Sequence, residues 1–383
     1  MNAPLRGAAA IVGVGHGGLG EAPGLSPVEI MAEAVHNALA DTGLTPADID
    51  GVISASPVYN MASLTAAEYL GIRPKFTDST MIGGSSFVSH ITPAALALQA
   101  GLCDTVLICY GSNQRSATGR LVSNSLPDPY EAPYKPRLPI TAYALAASRH
   151  MYQYGTSREH LAAVAVAARD WARLNPEAFM RDPLTAADVL ASRMICDPLS
   201  KLDCCLVTDG GGAMVLVRAE RAKDFPAKPA YVLGHATAHW HRNISEVEDI
   251  TVTAAAESGA RAFAMAGLEP ADVDVLELYD AFTINTILFL EDLGFCPKGE
   301  GGRFVADGAI APGGTLPVNT NGGGLSCVHP GMYGIFPVIE AVRQIRGTCG
   351  ERQVAGAEIA LAHGNGGVLS SQATVLLGSE ASF

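Results

Sequence analysis

"ADTGLTPADID" at residues 40–50 returns, little changed, as "AMAGLEPADVD" at residues 264–274. In each copy an amphipathic helix closes on Gly-Leu and the chain turns through Pro-Ala-Asp. A strand then follows, "GVISAS" in the first copy and "VLELYD" in the second. Two further pairs appear in the same order. "IGGSSFVSH" (82–90) leads a helix expected over 85–101, and "NGGGLSCVHPGMYG" (321–334) leads one expected over 333–346. "DGGGAMVLV" (209–217) is echoed by "GNGGVLSSQATVLL" (364–377), each read as a glycine turn feeding a long edge strand. Ordered repetition of this kind marks an internal duplication.

Each half therefore reads β-α-β-α-β-β, with right-handed crossovers building a mostly parallel sheet. The halves run over 1–225 and 226–383 and are expected to pack as a layered α/β structure. The first half carries an insertion over about 112–200. It opens with the proline-rich "SLPDPYEAPYKPRLP" and continues into helices expected over 140–154 and 157–174. An insertion of this size is expected to cap a ligand site.

Bulk composition narrows the function. In 383 residues, 48% are hydrophobic and 16% charged, which predicts a large buried core. No run of apolar residues is long enough for a membrane span, and the start has no signal-peptide layout, so a soluble cytoplasmic protein is expected. A net charge of −13 opposes a nucleic-acid surface. It leaves room for an anionic ligand held by local cations or helix N-termini. The eight cysteines form no CxxC pair and no zinc spacing, so buried reduced thiols are expected. Histidines 235, 239 and 241 alternate as on a strand but lack a carboxylate partner, and no metal site is expected. "GVGHGG" (13–18) fits a dinucleotide G-x-G-x-x-G, yet the next helix opens only near Ser26-Pro27, which opposes that reading.

With the repeats in place, the chain resembles the thiolase superfamily over essentially its whole length. It is most similar to the sterol-carrier-protein-type thiolases and their thiolase-like relatives. The residues carrying the likeness are "SKLDCCLVTDGGGAMVL", "YDAFTINT", "NGGGLSCVHPGMYG", "HGNGGVLSSQATVLLG" and "YGSNQRS". The resemblance implies the thiolase fold, duplicated halves layered α/β/α/β/α, and four loops meeting at one site. Gly84, with Ser85 beside it, stands where the family has its nucleophilic cysteine. Tyr279-Asp280-Ala281-Phe282 replaces Asn-Glu-Ala-Phe. His329 of Val328-His329-Pro330 keeps the family histidine, and His363-Gly364-Asn365 replaces the Cys-x-Gly of the second cysteine. Both catalytic cysteines are thus absent.

What chemistry remains follows from those substitutions. Ser85 and Ser86 open a helix, where an N-terminal dipole helps a thiolate far more than an alkoxide, and a serine nucleophile needs its own base. Helix capping is the simpler role for both. Cys327 is close to His329 but on the strand side. Similar tyrosines, with "YDAFT"-like and "HPGMYG"-like patterns, occur in thiolase-like aldolases that shorten steroid side chains without a nucleophilic cysteine. The resemblance therefore implies retro-aldol cleavage of a 3-hydroxyacyl-CoA.

The expected catalytic set is Tyr279, Asp280, His329, Tyr333 and His363. Tyr279 or Tyr333 would be the base, given a depressed pKa, and His329 would donate to the enolate oxygen. Gly84, Ser85, Phe282, Asn365 and Gly366 are expected to bind substrate. No bound cofactor is implied, only the CoA thioester as substrate. A homodimer is expected, and a separate small OB-fold protein with a zinc ribbon is a plausible partner. The competing readings are a thiolase-type acyltransferase and a non-catalytic thiolase-fold subunit.

Overall fold

The computed structural model describes residues 5–118 and 128–383, so the Ser-Leu-Pro that begins the proline-rich stretch lies outside the described residues. The repeated eleven-residue segments fold alike for reasons visible in their side chains. In the first copy the N–H and hydroxyl of Thr45 both donate to the Asp48 carboxylate at 2.8 Å, closing one tight turn over Pro46–Asp48. In the second, the Glu269 N–H donates to Asp272 at 2.8 Å across Pro270–Asp272. The last aspartate of each copy staples the next parallel strand. Asp50 accepts the N–H groups of Asp104 and Thr105, and Asp274 those of Glu358 and Ile359, all at 2.9 Å.

The strands are β1 (Ala9–Gly20), β2 (Gly51–Ser54), β3 (Phe76–Asp78), β4 (Thr105–Ser112), β5 (Met194–Cys196), β6 (Leu199–Ser200), β7 (Asp209–Arg218), β8 (Ala230–His239), β9 (Val275–Leu278), β10 (Ile359–Gly366) and β11 (Ser371–Gly378). β5 and β6 pair only with each other. The rest form one nine-stranded sheet, ordered β3-β2-β4-β7-β1-β8-β11-β10-β9. β1 and β8 meet at its middle, with Ala10 opposite Tyr231 and Ile11 opposite Ala230. Outward from that seam, β7, β4 and β2 correspond to β11, β10 and β9. β3 finds its counterpart in a single parallel bridge between Val318 and Leu276. In this sheet each half has one short extended element more than the repeat pattern predicts, and the first half adds the β5–β6 pair. The expected mostly parallel sheet is corrected to a mixed one, because β1 pairs antiparallel with β7 and β8, and β4–β7, β8–β11 and β10–β11 are antiparallel too. The expected boundary near residue 225 falls in the connection between β7 and β8.

Helices complete the layers. Pro27–Ala40, capped by Ser26, packs on β1, β7 and β4, and Ala255–Ala266 packs on β8 and β11. Helices Ile91–Gln99 and Ile335–Arg346 touch strands of both halves, and Ser86–Ser89, which leads into the first of them, lies on β8, β10 and β11, so these helices form the middle layer. This is the α/β/α/β/α arrangement. "GVGHGG" lies inside β1, which ends at Gly20, well before the helix opens at Pro27 in the chain.

The edge-strand expectation is corrected: β7 runs between β4 and β1, and β11 between β10 and β8. Every residue of β11 is buried, as is all of β7 but Arg218, because both faces are covered. The glycines of β7 admit the covering helix. A Cβ added at Gly211 would come within 2.8 Å of the Ile30 carbonyl oxygen. From the insertion, helices Ile140–Tyr154 and Arg158–Arg173 lie close to their expected positions.

Candidate active site

β9 and β10 run parallel, and the loops leaving their C-terminal ends converge on a cavity of about 590 Å³. Loop 81–84, which follows β3, forms another wall. Leu138, Pro139 and Tyr143 of the insertion line it as well, so the insertion does cover the site. Among the expected residues, Gly84, Tyr279, Phe282, His329, Asn365 and Gly366 line the cavity. Ser85, Asp280, Tyr333 and His363 do not; each is buried behind it.

Tyr279 leaves the end of β9 with its hydroxyl accepting the Tyr333 N–H at 3.1 Å. Its ring stands edge-on to His329 (5.6 Å between centroids) and to Tyr333 (5.5 Å). The Tyr279 hydroxyl fills the space a side chain at position 84 would need, since a Cβ added at Gly84 would overlap both ring and hydroxyl. Burial raises the Tyr279 pKa well above its ordinary value, and does the same for Tyr333. A depressed phenol pKa is therefore not what this pocket supplies, because among the described residues no cation faces either ring to offset the lost hydration. The Tyr333 hydroxyl turns away to donate to Asn321 Oδ1 at 3.2 Å.

His329 is 3% exposed, and among the described residues neither ring nitrogen has a hydrogen-bond partner. Burial lowers its pKa to about 4, so the imidazole is neutral at physiological pH. A buried polar ring left unpaired at a cavity wall is costly unless a ligand completes it. Its backbone is held firmly. The N–H donates to Thr208 Oγ1 at 2.9 Å, and the carbonyl accepts from Gln114 Nε2 at 2.8 Å. Tyr110 donates to the next carbonyl, that of Pro330. The first half thus clamps the histidine loop of the second.

Asp280 supports the same loop. Its carboxylate accepts the Gly324 N–H at 2.6 Å and the Leu325 N–H at 3.3 Å. A Cβ at Gly323 (φ +65°) would strike that carboxylate, so glycine is needed there. Burial pushes the Asp280 pKa up to about 7, against the pull of the two N–H bonds. Ser85 donates to the Ile82 carbonyl at 3.2 Å and shares a hydroxyl–hydroxyl hydrogen bond with Ser371 Oγ at 2.8 Å, and among the described residues no base is hydrogen-bonded to it. Cys327 is buried against Asn175, and burial raises its thiol pKa.

Two cavity residues were not singled out from sequence. Cys205 lines the wall as a thiol whose pKa burial raises well above the ordinary value. Tyr143 packs on Phe282 at 4.5 Å between centroids, and its hydroxyl accepts from Asn365 Nδ2 at 2.7 Å. Nothing in "TAYALAAS" distinguishes Tyr143 from any other buried helical aromatic. Among the described residues no group of three or more His, Cys, Asp and Glu could hold a metal. His235 pairs with Thr92 Oγ1 at 2.8 Å, while His239 and His241 line the cavity mouth. Nor is any described helix long and apolar enough to cross a membrane.

A family model described as "Thiolase C-terminal domain-like" matches residues 236–379. A steroid side-chain-cleaving aldolase of Thermomonospora curvata is 35% identical over 90% of this chain and 92% of its own. The chain belongs to the thiolase superfamily. A 17-hydroxy-3-oxo-4-pregnene-20-carboxyl-CoA lyase of Mycobacterium tuberculosis is also 35% identical, covering 96% of this chain and 98% of that protein. So is an acetyl-CoA acetyltransferase of Methanothermobacter thermautotrophicus, over 94% and 96%. Among solved structures, an Ltp2-ChsH2(DUF35) aldolase superposes with a TM-score of 0.90 at 34% identity, covering 99% of both chains. Human mitochondrial 3-ketoacyl-CoA thiolase shares the fold, with a TM-score of 0.73 at 15% identity.

Proposed function

We propose that this protein is a thiolase-superfamily lyase that cleaves a 3-hydroxyacyl-CoA by a retro-aldol reaction, without an acyl-enzyme. One observation carries the reading: the Tyr279 hydroxyl fills the space in which a nucleophile at position 84 would project. An acid–base group stands in place of the thiolate. The relatives named as an aldolase and a CoA lyase support the same chemistry.

The raised phenol pKa revises the roles expected from sequence. Tyr279 enters the reaction as a phenol and serves as acid. The neutral imidazole of His329, unpaired at the cavity wall, accepts the β-hydroxyl proton. As that O–H bond breaks, the Cα–Cβ bond breaks and the carbonyl of the departing ketone or aldehyde forms. The electron pair passes to the thioester enolate, which Tyr279 stabilises by donation and then protonates at Cα. Imidazolium and phenolate, 5.6 Å apart by ring centroids, then neutralise each other. Each proton transfer of this kind is worth about 10²- to 10⁴-fold in rate. Asp280 and Tyr333 position the base and the acid, the first through the glycine loop that leads to His329 and the second through its N–H to Tyr279. Gly84, Phe282, Asn365 and Gly366 shape the acyl and thioester pocket, with Ser85 just behind them. His363 acts from behind the wall.

The acyltransferase reading keeps one specific support, the acetyltransferase relative together with Cys205 at the wall. The raised thiol pKa opposes it, since the thiolate is the nucleophile. Intact mass spectrometry after exposure to acyl-CoA decides between the two. An unmodified chain is expected, and a stoichiometric acyl adduct on Cys205, Ser85 or Cys327 would establish the acyltransferase. A cytoplasmic homodimer working with a small OB-fold, zinc-ribbon partner completes the proposal. The outer edge of β3 offers the second copy a place to pair, and the DUF35 component in the solved aldolase supports a partner. Sedimentation giving only a species of 39.7 kDa at micromolar concentration would remove the dimer.

A further inference from the structure

We propose that Arg169, carried by the insertion, is a positioning residue for His329: it fixes the turn that sets where the imidazole stands in the cavity wall. The proposal rests on the lyase reading above, in which that ring is the base, and deepens it. It gives the insertion a second task besides covering the site.

The turn is Gly323–Cys327, one turn of π-helix, and the chain reaches His329 two residues after it. Turns this wide are rare and recur at functional sites. It is held from two sides. On one side Asp280 accepts the N–H groups of Gly324 and Leu325, and the Leu206 N–H donates to the Gly324 carbonyl at 2.9 Å. On the other side the insertion does the holding. The Met180 N–H donates to the Ser326 carbonyl at 2.9 Å, and the Phe179 N–H to the Cys327 carbonyl at 3.1 Å. Asn175 Nδ2 donates to the Asn321 carbonyl at 2.9 Å, just ahead of the turn.

Arg169 locks this second side. It lies on helix Arg158–Arg173, which packs against the turn, and is 4% exposed. Its Nε donates to Ser326 Oγ at 2.9 Å and its Nη1 to the Asp182 carbonyl at 3.0 Å. One rigid, planar guanidinium therefore grips both the turn and the strap 179–182 that pairs with it. The strap cannot slide along the turn without breaking a bond at each end. What the tie protects is the direction of His329. Among the described residues no hydrogen bond holds either ring nitrogen, so the ring follows its backbone and the Tyr279 and Tyr333 rings packed on it. A catalytic group misplaced by about 1 Å loses about 10²-fold in rate. Arg169 and Ser326 themselves lie behind the cavity wall, so the tie acts on the base and leaves substrate contacts alone.

The test uses the full-length protein, with its small partner where one is required, and two readouts. Arg169→Met loses both bonds and Ser326→Ala loses one. With 3-hydroxyoctanoyl-CoA, Arg169→Met is expected to lower kcat about 10- to 100-fold with KM within about threefold. Ser326→Ala should lower kcat by less, and the double variant should be no slower than Arg169→Met, since the two act through one bond. Arg169→Lys, which keeps a donor for Ser326, should recover part of the loss. The second readout needs no turnover: a ¹³C-histidine NMR titration, with the His329 signal assigned by His329→Gln. Burial holds the His329 pKa at about 4, and a loosened turn that admits water should move it up toward the ordinary 6.5 in Arg169→Met. Asp280, which titrates near 7 beneath the turn, and the neutral phenols of Tyr279 and Tyr333 face the ring in both proteins, so the difference between titrations reports the tie. Circular dichroism identifies a variant that fails to fold, in which case Ser326→Ala carries both readouts. An unmoved His329 titration, or a kcat within twofold of the unmodified protein, overturns the proposal. Failure of the unmodified protein to cleave any 3-hydroxyacyl-CoA, with the His329 titration still shifted by Arg169→Met, would sink the lyase reading and leave the positioning role standing.

Discussion

The two halves carry the same turn-and-helix unit at matching places, and they use it in opposite ways. In the first half, "MIGGSSFVSH" opens the helix with glycines and serines whose side chains are spent locally: Ser85 on Ser371 and Ile82, Ser86 on Gly83. In the second, "NGGGLSCVHPGMYG" presents an unpaired buried imidazole at the cavity wall. The first half gives space and clamps, through Gly84, Gln114 and Tyr110, and the second half gives chemistry. In the mechanism proposed above, the volume vacated by the nucleophile of one copy is taken by a reactive group of the other.

The largest break in this asymmetry is Tyr279→Phe. It removes the one hydroxyl the account makes an acid, so the cleavage rate should fall about 10²- to 10⁴-fold with the circular dichroism spectrum unchanged. His329→Ala should produce a loss of similar size, measured as kcat/KM on the same substrate. A smaller effect is expected from Gly84→Cys, which restores the family residue on paper. Its Cβ would overlap the Tyr279 ring and hydroxyl. The variant should lose about 1–3 kcal/mol of stability in chemical unfolding and gain no acyltransferase activity. Acyl transfer by Gly84→Cys alone would show that the space is less committed than argued.

The pH dependence sharpens the second-half side of the comparison. The folded-state pKa of Asp280 is raised, to about 7 from an ordinary 3.8, so the native chain holds a proton there that the unfolded chain has released. Its contribution to stability is fully present below about pH 4 and is lost as pH rises toward about 7, then levels off. Glu277, raised in the same direction by burial beside Glu340, acts with the same sign. Asp280→Asn keeps an acceptor for Gly324 and should flatten the stability–pH curve between those limits in urea unfolding. The smallest effect belongs to Ser85→Ala. It should cost about 1 kcal/mol for its lost hydrogen bonds and leave kcat within a few-fold.

The fold was legible because its instructions are local and written twice. Pro-Ala-Asp turns capped by a carboxylate, and an aspartate stapling the next strand, act within a few residues of where they are read. The edge-strand reading failed for a non-local reason: glycine-rich strands look exposed until helices are seen lying on them. The candidate site was legible where a loop residue follows directly from a strand end, as Tyr279 does, or sits in a turn framed by glycines and proline, as His329 does. It was not legible for Tyr143, whose place at the cavity wall goes with a hydrogen bond spanning 222 positions to Asn365. Protonation states were invisible as well. The pKa of Tyr279 depends on what surrounds the ring, and sequence supplies only the ring.

The central claim is that chemistry passed from a thiolate to an acid–base pair, and substrate oxidation state tests it most directly. Thiolytic cleavage needs a 3-ketoacyl-CoA and free CoA, because a thiol must capture the departing acyl group. Retro-aldol cleavage needs a 3-hydroxyacyl-CoA and no thiol, because the carbonyl product leaves unaided. The measurement offers the protein, with its small partner where one is required, a branched 3-hydroxyacyl-CoA and a 3-ketoacyl-CoA, each with and without CoA. Carbonyl and acyl-CoA products are followed by mass spectrometry. Cleavage of the hydroxy compound at a rate indifferent to added CoA is the predicted result. Cleavage of the keto compound alone, and only when CoA is added, would contradict the account.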